Sequence, residues 1–217
     1  MNHYLVIGLG RFGSAAALEL VRLGHSVVGA DNNEDMLSRI ADSLKYTAII
    51  DAKDEQALKE LNVTSYDAVL VAIGDNLESS LLCILHLKNL GVKEIWVKAV
   101  SKAHHEIVSK LGVSRIIHPE VEMGIKVAQA MSYPLINKFM SLGKNLYLVD
   151  IEIAQGLSGR SIAQVLGRDI RNIKPVLVRR EGEIHMPVDA NFVLEAEDSL
   201  VLTTSLATLN DLAPRLG

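Results

Sequence analysis

The first half of the chain alternates between short apolar runs and segments in which apolar residues recur every three or four positions. The continuous apolar run at 67–73 is typical of a parallel strand that is buried on both faces. The spaced segments instead predict amphipathic helices. The predicted strands are 4–7, 27–31, 47–50, 67–73, 95–98 and 115–118, and a predicted helix follows each of them. Such alternation implies right-handed crossovers and a doubly wound parallel sheet.

The pattern changes after the helix predicted at 121–131, which ends before Pro134. Beyond residue 143 the chain becomes rich in β-branched runs, with a turn at 181–183 that is typical of a hairpin. Strands are predicted at 147–153, 175–180, 184–188 and 199–203, and short helices at 161–166 and 206–212. We therefore predict an α/β domain in residues 1–134 and a second, small α+β domain in residues 135–217.

The first predicted strand leads into a glycine turn with G-x-G-x-x-G spacing, formed by Gly8, Gly10 and Gly13. The first glycine permits the tight turn, the second lets a phosphate approach the backbone, and the third allows close helix packing. Asp31 ends the second strand, where a carboxylate can accept hydrogen bonds from ribose hydroxyls and would repel a 2′-phosphate. Strand, turn, helix, strand and acid follow in the order of a Rossmann-like nucleotide-binding unit.

Other candidate binding residues follow the ends of the remaining strands. Because ligands of doubly wound sheets bind at the carboxyl ends of the strands, these positions should converge at one edge. They are Asn32, Asp51, Ala52, Ala72, Ile73, Gly74 and Lys98. Lys98 can reach a ribose or a phosphate, or it can be an ordinary charge at a strand end, and the sequence leaves both interpretations open.

Several charged or aromatic residues near these strand ends have two interpretations each. Arg11 lies in the glycine turn, where its guanidinium can pair two phosphate oxygens, although a solvated surface arginine is the ordinary alternative. We expect its neighbour Phe12 to pack rather than to stack on a base. Glu120 opens a helix, a position that the helix dipole alone favours for an acid. We expect His104 and His105 on a solvated helix face, because no third ligand is spaced to complete a metal site.

Composition narrows the function classes. Of the 217 residues, 49% are hydrophobic and 22% charged, which is ample core material for a globular protein. The net charge of −4, without a basic block, argues against nucleic-acid binding. The single cysteine, Cys83, is expected to be a buried small hydrophobe, which suits the cytoplasm. The first strand begins too early to leave room for a signal peptide, and no apolar run approaches the roughly 18 residues of a membrane span.

Four stretches and one acid of this sequence together resemble one protein family. They are V-I-G-L-G-R-F-G at 6–13, Asp31, V-A-I-G at 71–74, I-W-V-K-A at 95–99, and R-I-I-H-P-E-V-E-M-G at 115–124. The family comprises the cytosolic RCK (also called KTN) regulatory subunits of potassium transporters of the KtrA/TrkA type. The resemblance spans the whole chain, because the β-rich tail from Tyr147 is similar to the small C-terminal RCK domain.

The resemblance implies a regulatory protein and not an enzyme. Such proteins form homo-oligomeric rings, typically octamers built from dimers, on a membrane potassium-translocating subunit of the KtrB/TrkH type. ATP or ADP, or in some relatives NAD or NADH, binds the N-terminal domain and changes the shape of the ring, which gates the ion path. The protein is then expected to be cytoplasmic and attached peripherally to the inner face of the membrane through this partner.

The resemblance also implies roles for three residues. Arg11 corresponds to an arginine that reaches the terminal phosphates, Asp31 to the ribose acid, and Glu120 to a carboxylate that helps hold Mg²⁺, Ca²⁺ or Na⁺ beside the nucleotide. The small domain binds a cyclic dinucleotide in some members, but no specific motif supports that site in this tail. An NAD-dependent oxidoreductase and a scaffold that binds nucleotide only for stability are the alternatives. Hydride transfer, however, needs an acid or base that the tail does not offer in a recognisable form.

Overall fold

The computed structural model describes residues 1–216, apart from the side chain of Ile170. The chain divides into two compact units, Met1–Val121 and a second that begins at Glu122. The domain boundary expected from the sequence, after residue 134, assigns the helix that follows Val121 to the first domain. That assignment stays a prediction.

The first unit is a six-stranded parallel sheet with helices between its strands. Its strands are β1 (His3–Ile7), β2 (Ser26–Asp31), β3 (Tyr46–Ile49), β4 (Ala68–Val71), β5 (Ile95–Lys98) and β6 (Arg115–Ile117). Its helices are α1 (Arg11–Arg22), α2 (Glu34–Ser38), α3 (Glu55–Glu60), α4 (Leu77–Asn89) and α5 (Lys102–Lys110). The strand order β3-β2-β1-β4-β5-β6 reverses direction between β1 and β4. This is the doubly wound, Rossmann-like order, so the predicted fold class is confirmed.

Strand β1 illustrates why this sheet is buried on both faces. Leu5 and Ile7 pack into one apolar cluster with Ile84 of α4, and Val6 between them packs into another cluster with Ala17 of α1. Successive side chains of a strand point to opposite faces, so helices on both sides cover one continuous apolar run. Each of these five residues is at most 1% exposed. Burial of one large aliphatic side chain contributes about 1.5–3 kcal/mol.

Two predicted elements of the first unit differ in length from those observed. Strand β4 ends at Val71 and not at residue 73, and α2 ends at Ser38, after which a short 3₁₀ turn leads to β3. Ile40 and Leu44, beyond the end of α2, are nevertheless buried. The apolar spacing therefore identified the buried side chains correctly, but it did not predict that the helix ends before them and that an irregular turn carries them.

The second unit is built on a five-stranded antiparallel sheet with the order β10-β9-β11-β8-β7. Its helices are α6 (Pro119–Ser132), which begins in the first unit, α7 (Ile162–Leu166) and α8 (Leu206–Leu212). Its strands are β7 (Ile136–Gly143), β8 (Leu146–Glu152), β9 (Lys174–Arg180), β10 (Glu183–His185) and β11 (Ser199–Thr204). A separate apolar cluster, which includes Val149, Ile151 and Leu202, forms its core. The small α+β domain is therefore confirmed.

The sequence pattern does not predict strand β7, and it places the end of β10 three residues too late. Strand β7 pairs only with β8 at the edge of the sheet, and Ile136 is its one buried residue. A strand whose side chains are mostly solvated has no alternation of apolar and polar residues for the sequence to reveal.

Helix α6 differs from the other long helices because every one of its residues is at least partly exposed. Its large apolar side chains are more than half exposed, and they are Val121, Met123, Ile125, Val127 and Met131. Within the described part of the chain, no helix combines the length and hydropathy needed to cross a membrane.

Candidate functional site

The glycine turn between β1 and α1 is tightly packed at two of its glycines and open at the third. Gly8 has a φ of +93°, and a Cβ there would lie 2.9 Å from the backbone nitrogen of Ile73. A Cβ on Gly13 would lie 1.9 Å from the carbonyl oxygen of Gly8. Among residues 1–216, no heavy atom beyond the chain neighbours lies within 4 Å of a Cβ built on Gly10. The first and third glycines therefore serve packing, and the second leaves space beside the start of α1.

This open space fits a phosphate group. Gly10 is the residue before the first turn of α1 and has no side chain with which to cap it. The first amide groups and the positive dipole end of a helix attract an anion, and a residue without a Cβ allows that anion to approach the backbone. The residues at this turn thus match the requirements of the predicted nucleotide.

Asp31 holds the glycine turn against the end of β2. Its Oδ2 accepts a hydrogen bond of 2.5 Å from the Leu9 N–H, and its Oδ1 accepts one of 2.9 Å from the Asn33 N–H. Each carboxylate oxygen can accept more than one hydrogen bond. Asp31 can therefore support the turn and still accept a bond from a ribose hydroxyl, and Asn32 next to it is exposed.

The other predicted residues lie at the same edge of the sheet, after the ends of β3 and β4. Asp51 is exposed and accepts a 2.9 Å hydrogen bond from the Lys53 N–H, while Ala52 is buried. Ala72 donates its N–H to the last carbonyl of β1 at 2.7 Å, and Ile73 follows it. Because β4 neighbours β1, Ala72 and Ile73 form one wall of the glycine turn. The structure brings them together as the strand pattern predicts, and their contacts with a ligand stay a prediction.

Lys98 at the end of β5 forms an ion pair with Glu120 at the start of α6. The Lys98 Nζ lies 2.8 Å from Glu120 Oε1 and 5.9 Å from the centroid of the Phe12 ring. The lysine side chain is only 14% exposed, whereas that of Glu120 is 67% exposed. Gly74 lies against the same lysine, since a Cβ built on it would be 3.1 Å from Nζ. The ion pair is a contact that neither sequence interpretation of Lys98 included.

The Glu120 carboxyl is electrostatically biased toward its charged form. The hydrogen bond from Lys98 lowers the pKa of Glu120 most, followed by the hydrogen bond from its own backbone N–H and, to a smaller extent, the charge of Arg11. An ionised carboxylate suits the predicted role as a cation ligand. Glu120 would supply a single carboxylate, because no group of three or more His, Cys, Asp or Glu within residues 1–216 is placed to hold a metal. Other ligands would have to come from the nucleotide or from water.

A cavity of about 560 Å³ adjoins this ion pair. It extends along the carboxyl ends of β5 and β6, and its walls include Gly74, Lys98, Ser101, Lys102, His105, His118 and Glu120. Sequence reasoning expected His105 on a solvated helix face and gave His118 no role of its own, whereas the rings of these two histidines stack with centroids 5.0 Å apart.

The expectation that His104 lies on a solvated face is wrong. His104 is fully buried, its Nδ1 accepts a 3.3 Å hydrogen bond from the Val100 N–H, and its Nε2 lies 3.4 Å from Ser80 Oγ. Burial, with a smaller effect of His118, lowers the pKa of His104, which is consistent with a neutral ring. The available signal was its position four residues before the buried Val108, on the same helix face.

The fold and the glycine turn define a Rossmann-like protein with a candidate nucleotide site at the point where the strand order reverses. The TrkA-N domain family matches residues 4–119. Ktr system potassium uptake protein A of Bacillus subtilis (strain 168) is 34% identical over 201 residues, which cover 93% of this chain and 90% of the relative. The chain therefore belongs to the KtrA/TrkA-type family, as the resemblance predicts.

Solved structures agree with this fold. The RCK domain of GsuK superposes with a TM-score of 0.66 at 16% identity, and a GsuK channel bound to NAD superposes with a TM-score of 0.65 at 16% identity. Both alignments cover 100% of this chain, which spans 48% and 39% of those two chains.

Proposed function

We propose that this protein is the nucleotide-sensing regulatory subunit of a potassium uptake system. The observation that carries the proposal is the open space at Gly10, the residue before α1, in the turn whose Leu9 N–H donates to Asp31. An adenine nucleotide would place its ribose at the acid and its phosphates at the glycine turn. The family supports the transport role, since its relative in Bacillus subtilis is named a potassium uptake protein. We propose no enzymatic activity, because the nucleotide would be sensed and not consumed.

The proposed switch is the difference between ATP and ADP. Arg11 acts on Glu120 through its charge, and Lys98 lies 2.8 Å from the same carboxylate. A γ-phosphate would compete with the Glu120 carboxylate for the positive side chains of Arg11 and Lys98. A metal ion such as Mg²⁺, Ca²⁺ or Na⁺ would then offset the negative charge that the phosphate and the carboxylate bring together. Two nucleotides can drive a conformational change only if their affinities for the two states differ, typically by about 1–3 kcal/mol.

The proposed partner is a membrane potassium-translocating subunit of the KtrB/TrkH type, with this protein at the cytoplasmic face of the membrane. We further propose an octameric ring of dimers. The exposed apolar side chains of Met123, Val127 and Met131 recur every four residues along one face of α6. This stripe supports association, because soluble monomers seldom leave such a stripe uncovered. In this scheme residues 1–134 form the nucleotide-binding domain and residues 135–217 the C-terminal RCK domain.

NAD or NADH is the second candidate ligand. The strand order is that of dinucleotide-binding folds, and the cavity beside β5 and β6 offers space for a second nucleoside beyond the glycine turn. Asp31 would favour NAD over its 2′-phosphorylated form. In that case the protein would sense the redox state and not the ATP level.

Calorimetric titration of the purified protein with ATP, ADP, NAD⁺ and NADH, with and without Mg²⁺, tests the proposal, with light scattering to give the mass. We expect ATP and ADP to bind an octamer and Mg²⁺ to strengthen only the ATP complex. Preference for NADH would select the second candidate, and failure of every nucleotide to bind would refute nucleotide sensing.

The Arg11→Ala variant tests the proposed γ-phosphate contact. We expect it to weaken ATP binding at least fivefold more than ADP binding. Arg22→Ala is the matched control, because that arginine lies at the opposite end of α1 and pairs with Glu19. Equal losses for ATP and ADP in Arg11→Ala would show that this arginine does not read the terminal phosphate. For Glu120→Gln, we expect ATP binding to become insensitive to Mg²⁺.

A further inference from the structure

Two histidines in the wall of the cavity present nitrogen atoms to each other. The Nδ1 of His105 lies 2.8 Å from the Nε2 of His118, and the ring planes are inclined by 26°. His105 lies on α5, whereas His118 lies between β6 and α6, so the fold and not the local sequence brings them together. Both rings are partly exposed. In the neutral pair, one nitrogen carries the proton that the other accepts.

The elements that carry these histidines are held in place by neighbouring contacts. The buried His104 anchors the first turn of α5 through its hydrogen bond from the Val100 N–H. Ser101 caps the same turn by accepting a 3.1 Å hydrogen bond from the His104 N–H. On the other side, the Ala99 N–H donates to the Ile117 carbonyl at 2.8 Å, which fixes the residue before His118. Little backbone ordering would therefore be needed for both rings to act on one ligand.

We propose that His105 and His118 form a binding site for a divalent first-row transition-metal ion, with Ni²⁺ or Cu²⁺ as the best-fitting probe. Each imidazole nitrogen binds such an ion at about 2.0–2.1 Å, and two nitrogens whose bonds to the ion form a right angle are about 2.9 Å from each other. The observed separation of 2.8 Å is close to this value. The ion would take the place of the shared proton, which would move to the outer nitrogen of the ring that donated it, so that both rings stay neutral and both facing nitrogens offer a lone pair. Turning the two lone pairs toward the ion requires rotation about the terminal ring torsions, which have broad minima.

The surroundings decide which ions fit. Imidazole nitrogen suits Ni²⁺, Cu²⁺ and Zn²⁺, whereas Mg²⁺ and Ca²⁺ prefer oxygen. The positive charge of Lys98 is balanced by Glu120, so Lys102 is the remaining lysine in the cavity wall that opposes a cation. The protein would supply two ligands, and water in the cavity the others. The site would thus be distinct in chemistry from the cation proposed at Glu120.

Metal titration of the full-length His3→Asn protein, free of any histidine tag, tests this site without nucleotide. The substitution removes the exposed histidine that could bind Ni²⁺ or Cu²⁺ together with the N-terminal amine. By calorimetry we expect one Ni²⁺ or Cu²⁺ per chain, and an excess of Mg²⁺ should not compete. The His105→Asn and His118→Asn variants should each bind at least tenfold more weakly. His185→Asn, which changes a partly exposed histidine of β10 outside the cavity, is the matched control and should leave metal binding unchanged.

Electron paramagnetic resonance of the Cu²⁺ complex of the His3→Asn protein provides a second measurement, with both histidines of the proposed site intact. Hyperfine coupling to two imidazole nitrogens is expected. Coupling to a single nitrogen, or affinity that is unchanged in His105→Asn, would refute the site. The spectrum also decides the matter if the His105→Asn or His118→Asn variant fails to fold, since it needs no substitution at either of these two histidines.

Discussion

Alanine at Gly13 should destabilise the first unit strongly, while alanine at Gly10 should not. A Cβ at Gly13 would lie 1.9 Å from the Gly8 carbonyl oxygen and 3.2 Å from the Ala72 Cβ. Normal contact requires at least about 3 Å, so the backbone at Gly8 would have to move by more than 1 Å. Gly8 has little room to move toward β4, because even a Cβ built on it would lie 2.9 Å from the backbone nitrogen of Ile73. Overpacking of this kind costs about 3 kcal/mol, the upper end of its usual range.

The matched substitution Gly10→Ala meets open space, and a φ of −64° is allowed for alanine. The small loss at the helix N-cap and the gain from a less flexible unfolded chain nearly cancel, so its stability should change by less than about 1 kcal/mol. Its nucleotide affinity should nevertheless fall, because the new methyl group occupies the position that the phosphate requires.

Trp96, the single tryptophan, lies in β5 and reports on the unfolding of the first unit in a thermal or urea titration. At roughly 2–4 °C per kcal/mol for a protein of this size, Gly13→Ala should lower the midpoint by about 6–12 °C. An unchanged midpoint would refute the packing argument. Unchanged nucleotide affinity in a folded Gly10→Ala protein would separately refute the phosphate cradle.

Three further predictions concern titrating groups. Burial raises the pKa of Asp198, but the hydrogen bonds from Arg180 and from the Glu195 N–H outweigh it, so the net pKa is lowered. Its contribution to stability should therefore be lost as the pH falls through that lowered value. Asp198→Asn should lower the free energy of unfolding by about 3–5 kcal/mol at pH 7, and the stability of the variant, followed by circular dichroism, should depend less on pH in the acid range. Burial raises the pKa of the Cys83 thiol to about 12, so a thiol reagent should label it only at the rate of unfolding. Lys98→Met should raise the pKa of the adjacent Glu120 toward its ordinary range, as a carbon-13 NMR titration of the carboxyl would detect.

The candidate site divides into a part that sequence reasoning reached and a part that it did not. The glycine turn and Asp31 follow from one strand–helix–strand unit, in which spacing along the chain fixes the geometry. The ion pair of Lys98 with Glu120 and the contact between His105 and His118 join separate elements. No periodicity encodes such contacts, because they depend on which strands become neighbours in the sheet.

The sequence by itself determined the alternation of strands and helices, the doubly wound class and the position of the glycine turn, because these depend on local periodicity and on residues close together in the chain. Only the tertiary structure decided that His104 is buried, that β7 completes the second sheet as an edge strand, and that a cavity lies beyond β5. The physical reason is that burial and edge pairing depend on what packs against an element. For His104 that partner is Ser80, 24 residues away in the chain, on a helix that the sheet brings alongside α5.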